Sequence, residues 1–272
     1  MSLDEALVKF VAKEDQKPYF ANLVTEKSSV PRAPVVGTTF QGYSSLEDLR
    51  EKRSTKPVTV DSLLAPLPHT NVPIYCVGLN YKSHAKEAKS QGELVFVTSK
   101  AAKDITPKEA ESYVLGYTVG NDLSCRFFQL PNNSGGQYFY AKAFDKFAPI
   151  GPVLISPKQF DATASGRKLT TKVNGKIVQD TVIADDMIFN PAQILSQMSQ
   201  GTTIPAGTAV MTGTPAGVGA FQSPKSFLGD GDEIEVELSG VGTLRNTICF
   251  EELGWLRSIG LKIFGVVLRF FT

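Results

Sequence analysis

Two stretches of this chain limit its fold more than any others, because each reads as a closed β-hairpin. Residues 169–180, LTTKVNGKIVQD, place Asn174-Gly175 between two strand-like arms. That dipeptide suits a two-residue turn with positive φ at both positions, a turn that pairs its arms antiparallel. Residues 231–248, GDEIEVELSGVGTLRNTI, alternate strictly between acidic and apolar residues in the first arm, the period of a half-buried strand. Short apolar runs ending in turn residues, VPIYCVGLN and VLGYTVGND, add further strands. Helix signals are fewer. Ser45 stands three residues before Asp48, Thr106-Pro107 is followed by Glu109, and Asn190-Pro191 opens a segment closed by Gly201. Many short strands and few helices predict an α+β fold that is mostly β.

Charge and cysteine content exclude several functions. With 28 basic and 27 acidic residues the net charge is +1, so the chain lacks the basic excess of a nucleic-acid binder. Cys76, Cys125 and Cys249 are isolated and odd in number, which suggests neither a zinc knuckle nor a disulfide framework. The first residues, MSLDEALVKF, carry acids and no apolar core run, unlike a signal peptide, and a reducing cytoplasmic setting follows as the default expectation. The proline-rich LLAPLPHT reads as a connector, dividing a small N-terminal domain, 1–70, from a main domain, 71–252. Residues 253–272 form an apolar tail interrupted by Arg257, Lys262 and Arg269. That is no full membrane span; an interfacial amphipathic helix with membrane contact, or a subunit contact, remain as readings.

The chemical candidates start in NYKSHAKEAKSQGELV, residues 80–95. His84 and Glu87 would share one face of a short helix capped by Asn80 or Ser83, and a carboxylate beside an imidazole suits general-base work on water. On spacing alone, a solvated polar face accounts for the pair, since Lys82, Lys86 and Lys89 surround it. Glu93 and Asp122 are oxygen donors of the kind hard divalent cations take. Read blandly, Asp122 is a turn residue and Glu93 the solvent side of the alternating ELVFV. Lys142 could hold a substrate carboxylate or be merely solvated. The glycine-rich MTGTPAGVG, residues 211–219, could offer backbone N–H groups to an anion. No dinucleotide, P-loop or GxSxG motif is present.

Taken in order, YCVGLNYKSHAKEA, GYTVGNDLSCRFFQ, AKAFDKFAPIGPVLI, VNGKIVQD and MTGTPAGVG resemble the fumarylacetoacetate hydrolase family. The resemblance covers most of residues 70–250. It implies an irregular β-barrel or roll with a small N-terminal domain, commonly a homodimer. It implies a site for Mg²⁺, or for Ca²⁺ or Mn²⁺, and small oxo-acid or diketone substrates. The activity it implies is that of a metal-dependent hydrolase or lyase: acylpyruvate-type C–C hydrolysis, or decarboxylation or isomerisation through a metal-bound enolate. Carried over by motif, His84 is the water-activating base, Glu87 its orienter and Lys142 a third catalytic group. Arg126, Gln129 and Thr214 fall on substrate-binding positions, and Gln91, Glu93 and Asp122 on metal positions.

The family's Glu-x-Glu pair becomes Gln91-Gly92-Glu93 here, and the connection before it is shortened. One carboxylate is thus replaced by a neutral amide, which implies a weakly bound cation. The alternative reading is a catalytically impaired member that serves as a binding or scaffold subunit.

Overall fold

The computed structural model describes residues 6–23, 32–85, 92–161, 166–216, 227–251 and 265–269. In chain order its strands are β1 (Ala6–Ala12), β2 (Pro18–Leu23), β3 (Thr39–Gly42), β4 (Lys56–Leu64), β5 (Ile74–Cys76), β6 (Gly92–Thr98) and β7 (Val114–Asn121). There follow β8 (Ile150–Ile155), β9 (Lys168–Val173), β10 (Lys176–Val182), β11 (Ala209–Met211), β12 (Glu233–Leu238), β13 (Gly242–Glu251) and β14 (Gly265–Arg269). The helices are short: α1 (Leu46–Glu51), α2 (Lys82–Ala85), α3 (Pro107–Ala110), α4 (Pro131–Ser134), α5 (Pro157–Asp161), α6 (Ile183–Asp186) and α7 (Pro191–Met198). The mostly-β expectation is met.

Two sheets carry the fold. The larger runs β3-β4-β1-β8-β7-β6-β11-β5, with β2 on β1; the smaller runs β10-β9-β12-β13-β14. Among the described residues neither sheet closes on itself, so the expected barrel is an open roll whose outer strands are β3 and β5. The sheets face each other across one apolar layer. Phe10, Leu94, Val119 and Val153 of the larger sheet meet Leu169, Ile234, Val236, Leu244 and Ile248 of the smaller. The opposite face of the larger sheet is also covered, with Leu7, Val95, Val97, Leu115, Leu154 and Met211 in a second cluster. Burial on both faces explains why β6 reads GELVFVT without a clean alternation and is buried throughout.

The local signals act as their chemistry requires. Asn174 and Gly175 take φ of 50° and 76°, and the turn closes β9 on β10 at Val173↔Lys176. The second hairpin pairs β12 with β13 from Glu233↔Thr247 to Leu238↔Gly242. Ser45 accepts from the Asp48 amide, and Thr106/Glu109 and Asn190/Gln193 form reciprocal capping boxes. The tail departs from the helical reading. Residues 265–269 are an edge strand, paired with β13 from Thr247↔Arg269 to Glu251↔Gly265. Unpaired backbone groups at the β13 edge are satisfied this way, which an amphipathic helix would not do. Among the described residues no helix is long and apolar enough to cross a membrane.

Close approach of strands makes one position sensitive. A Cβ at Gly116 would lie 2.5 Å from the Ile155 carbonyl oxygen and 2.8 Å from Leu154 Cγ. Backbone cannot retreat as a flexible side chain can, so Gly116→Ala is expected to cost about 1–3 kcal/mol, read as a lower urea midpoint at unchanged slope.

Candidate active site

Several of the proposed residues converge at one end of the larger sheet. β6 and β7 pair with Gly92 opposite Asn121 and Glu93 opposite Gly120, which brings Glu93 and Asp122 to the same end of the sheet. Glu93 is 1 % exposed and Asp122 4 %, so the reading of Glu93 as the solvent face of a strand is overturned. Its neighbours Val95, Gly120 and Met211 are buried as well, because this face of the strand looks inward. Gly120 leaves the room there: a Cβ would stand 2.6 Å from Met211 Cε and 2.8 Å from Val95 Cγ2.

Lys142 ends the short 3-10 turn Tyr140–Lys142. It is no solvated lysine: Nζ donates to Asp122 Oδ2 and, at 3.0 Å, to Ser124 Oγ. The Cys125 amide donates to the Ala141 carbonyl at 2.8 Å, tying the segment of Asp122 to that of Lys142. The glycine-rich loop does offer a backbone N–H to an anion, and the anion is internal: Gly213 N donates to Glu93 Oε2 at 2.8 Å. Burial foremost, then the charge of Asp122, hold the Glu93 carboxyl well above the usual range, while Lys142 and the Gly213 N–H act in the opposite direction. The Cys76 thiol is pushed up by burial and then by the charges of Asp122 and Glu93, so it remains a neutral thiol facing them.

This donor set fits a hard divalent cation. Two buried carboxylates share a low-dielectric site with one ammonium, and among the described residues Asp122 Oδ1 is buried with no hydrogen-bond partner. A cation among oxygen donors would relieve both the like-charge repulsion and the unpaired oxygen.

Arg126 and Gln129 lie on the 3-10 turn Arg126–Gln129, where Arg126 Nη1 donates to Gln129 Oε1 at 2.6 Å. Burial lowers the Arg126 pKa and the Asp122 charge partly restores it. Thr214 is 1 % exposed, and its hydroxyl gives its one proton to the Gly92 carbonyl at 2.8 Å. A substrate carboxylate would therefore have to displace that bond to use the hydroxyl. The backbone of His84 belongs to α2, and the expected capping of that helix is corrected. Asn80 is spent elsewhere, donating to the carbonyls of Phe189 and Thr212 and accepting from Phe189 N. The capping carboxylate comes from Asp186, which accepts from Ser83 N at 2.8 Å and from Ser83 Oγ. Glu87 and Gln91, like the side chain of His84, lie outside the described residues.

Two residues escaped the sequence reading, Asp186 and Gln179. Gln179 is 2 % exposed while its strand neighbour Ile177 is 54 % exposed, an inversion of the usual polarity. A register shift between Ile177 and Gln179 produces it, since a bulge re-aims the side chains that follow. The two adjacent apolar residues Ile177-Val178 were its only trace in the sequence.

Comparison with known proteins adds likenesses of sequence and fold. The family model for the C-terminal domain of fumarylacetoacetate (FAA) hydrolase matches residues 90–249. A caffeoylpyruvate hydrolase of Neonothopanus nambi is 32% identical, with 89% of this chain and 92% of that protein aligned. The oxaloacetate tautomerase YisK of Bacillus subtilis is 32% identical over 68% of this chain and 72% of its own length. A fumarylpyruvate hydrolase of Pseudomonas aeruginosa, solved in complex with Mn²⁺ and pyruvate, superposes with a TM-score of 0.58 at 26% identity, covering 70% of this chain and 93% of that one.

Proposed function

Because this chain belongs to the fumarylacetoacetate hydrolase family, a family of enzymes that process oxo-acids, we propose that it is a divalent-cation-dependent hydrolase of acylpyruvate-type 1,3-dicarbonyl acids. The observation that carries this is the inward-facing pair Glu93 and Asp122 with Lys142 on the second carboxylate. Their burial supports the reading that a cation and a small anion are bound together away from bulk water.

A cation held by Glu93, Asp122 and the amide oxygen of Gln91 would polarise the substrate's oxo group and offset charge developing on its oxygen. His84, oriented by Glu87, takes a proton from a water that attacks the acyl carbonyl carbon. The C–C bond to the pyruvate carbon then breaks, and that carbon receives a proton back, so hydrolysis consumes one water and yields an acid and pyruvate. Lys142 and Arg126 hold the substrate carboxylate, with Gln129 fixing the guanidinium. Burial of Glu93 and Asp122 keeps the electrostatic work in low dielectric, where each interaction is stronger. The same charge stabilisation serves keto-enol tautomerisation, so oxaloacetate, the substrate in the name of YisK, is the natural second substrate to assay.

Assaying purified protein with Mn²⁺ or Mg²⁺ against acylpyruvates and oxaloacetate tests the reading. Cation-dependent release of pyruvate supports it; no turnover of any acylpyruvate with either metal refutes it. Cation binding should also stabilise the fold. At about a hundred times its dissociation constant, Mn²⁺ adds roughly 2.7 kcal/mol, seen as a higher Tm that EDTA reverses.

A further inference from the structure

Gln179 closes a ring of three hydrogen bonds around the start of β6. Gly92 N donates to Gln179 Oε1 at 3.1 Å, Gln179 Nε2 donates to Thr214 Oγ1 at 2.9 Å, and Thr214 Oγ1 donates to the Gly92 carbonyl at 2.8 Å. Gln179 Nε2 also donates to the Pro215 carbonyl at 2.8 Å. The orientation of the amide is forced, because the Gly92 N–H can only donate and the Pro215 oxygen can only accept. Every member of the ring is buried, and in such a place each bond polarises the next.

The ring joins the two segments that hold Glu93. Gly92 precedes Glu93 in β6, and Thr214 follows Gly213, whose N–H binds the Glu93 carboxylate. The backbone on one side of Glu93 and the donor on its carboxylate are therefore fixed by one side chain reaching across from the smaller sheet. Gly92 is held from that sheet by shape as well: a Cβ there would meet Thr171 Oγ1 at 2.2 Å and Val236 Cγ1 at 2.8 Å. An apolar residue would fill the inter-sheet layer equally well, and a buried amide is costly unless all its bonds are made. Here all are made to site segments.

We infer that Gln179 is a positioning residue for the cation site, setting the register of Glu93 and the glycine-rich loop. The inference rests on the cation-dependent reading above. Partners one step removed from a metal ligand commonly change metal affinity about 10–100-fold when lost.

The test uses the full chain and Mn²⁺ alone, with calorimetric dissociation constants and the Tm of the metal-free protein as readouts. Gln179→Met keeps the bulk and loses every bond; it is expected to weaken Mn²⁺ about 10–100-fold. Gln179→Glu keeps an acceptor for the Gly92 N–H and should recover part of that loss. Thr214→Val breaks the same ring from the other side, so it should weaken Mn²⁺ similarly, and the Gln179→Met/Thr214→Val double variant should be little worse than either single one. Should Gln179→Met not fold, Gln179→Glu and Thr214→Val still decide. Affinity within about 2-fold of wild type in Gln179→Met, or in Thr214→Val, overturns the inference, set against the 10–100-fold expected. So does additive loss in the double variant, or loss in Gln179→Glu as large as in Gln179→Met with a matching fall in Tm, which marks a packing role. A wild type that binds no Mn²⁺ overturns the cation-dependent reading itself, and this inference with it.

Discussion

His84→Ala is expected to lower turnover of an acylpyruvate by about 10²–10⁴-fold while leaving Mn²⁺ affinity within error of wild type. A general base contributes through proton transfer in the transition state, so kcat should fall more than substrate affinity. The backbone of α2 should survive the change, because it is anchored by Asp186 on Ser83 and by the Ala216 amide donating to Ser83 Oγ at 3.2 Å. Steady-state kinetics and calorimetry on the same preparation separate the outcomes. Turnover equal to wild type removes His84 from the reaction; lost Mn²⁺ binding makes it a ligand instead of a base.

For Asp122→Ala, cation binding should be lost, a larger effect than the roughly 10–100-fold typical of residues behind the ligands. The variant strips the site of the carboxylate that Lys142 neutralises. Two consequences for stability oppose each other: the Lys142 ammonium loses its ion pair, and Glu93 loses a like-charged neighbour. The metal-free protein should therefore remain folded, and the deficit should appear in the calorimetric titration. Gln91→Glu is the complementary variant. Restoring a charged ligand should tighten Mg²⁺ more than Ca²⁺, since Ca²⁺ tolerates neutral carbonyl oxygens and irregular geometry. If Gln91→Glu leaves Mg²⁺ binding unchanged, Gln91 is not at the cation.

The sequence disclosed those parts of the fold that depend on neighbouring residues. The Asn174-Gly175 turn, the alternation of β12 and the caps at Ser45, Thr106 and Asn190 are decided within a few positions of the chain, and all form as written. What stayed hidden depends on distant partners. Glu93 looked like an outward position because it is the one charged residue at the head of the apolar run LVFV; only the second apolar cluster, built from β1, β7, β8 and β11, turns that face inward. Lys142 could not be told from a solvated lysine until Asp122 and Ser124 lay beside it. The cap of α2 comes from Asp186, about a hundred positions away in the chain and invisible to any local rule. Gln179 was concealed by a bulge, which shifts the phase of a strand without changing its composition. The family resemblance singled out Asp122 and Lys142 together, which spacing could not do, because ordered motifs carry tertiary information that single motifs lack.

The place of β1 has a consequence for biosynthesis. This strand precedes β2 and β4 in the chain and can pair with each as it emerges from the ribosome. Its remaining register partner, Leu154 opposite Leu7, is translated more than half the chain later. The strands that cover Val8 and Phe10 from the smaller sheet come later still. A nascent chain therefore carries an uncovered apolar face and a part-open strand edge while the intervening residues are made, the condition under which chains associate wrongly with one another. Production of this protein should accordingly depend on holding chaperones and on slow translation more than its finished sheets would suggest.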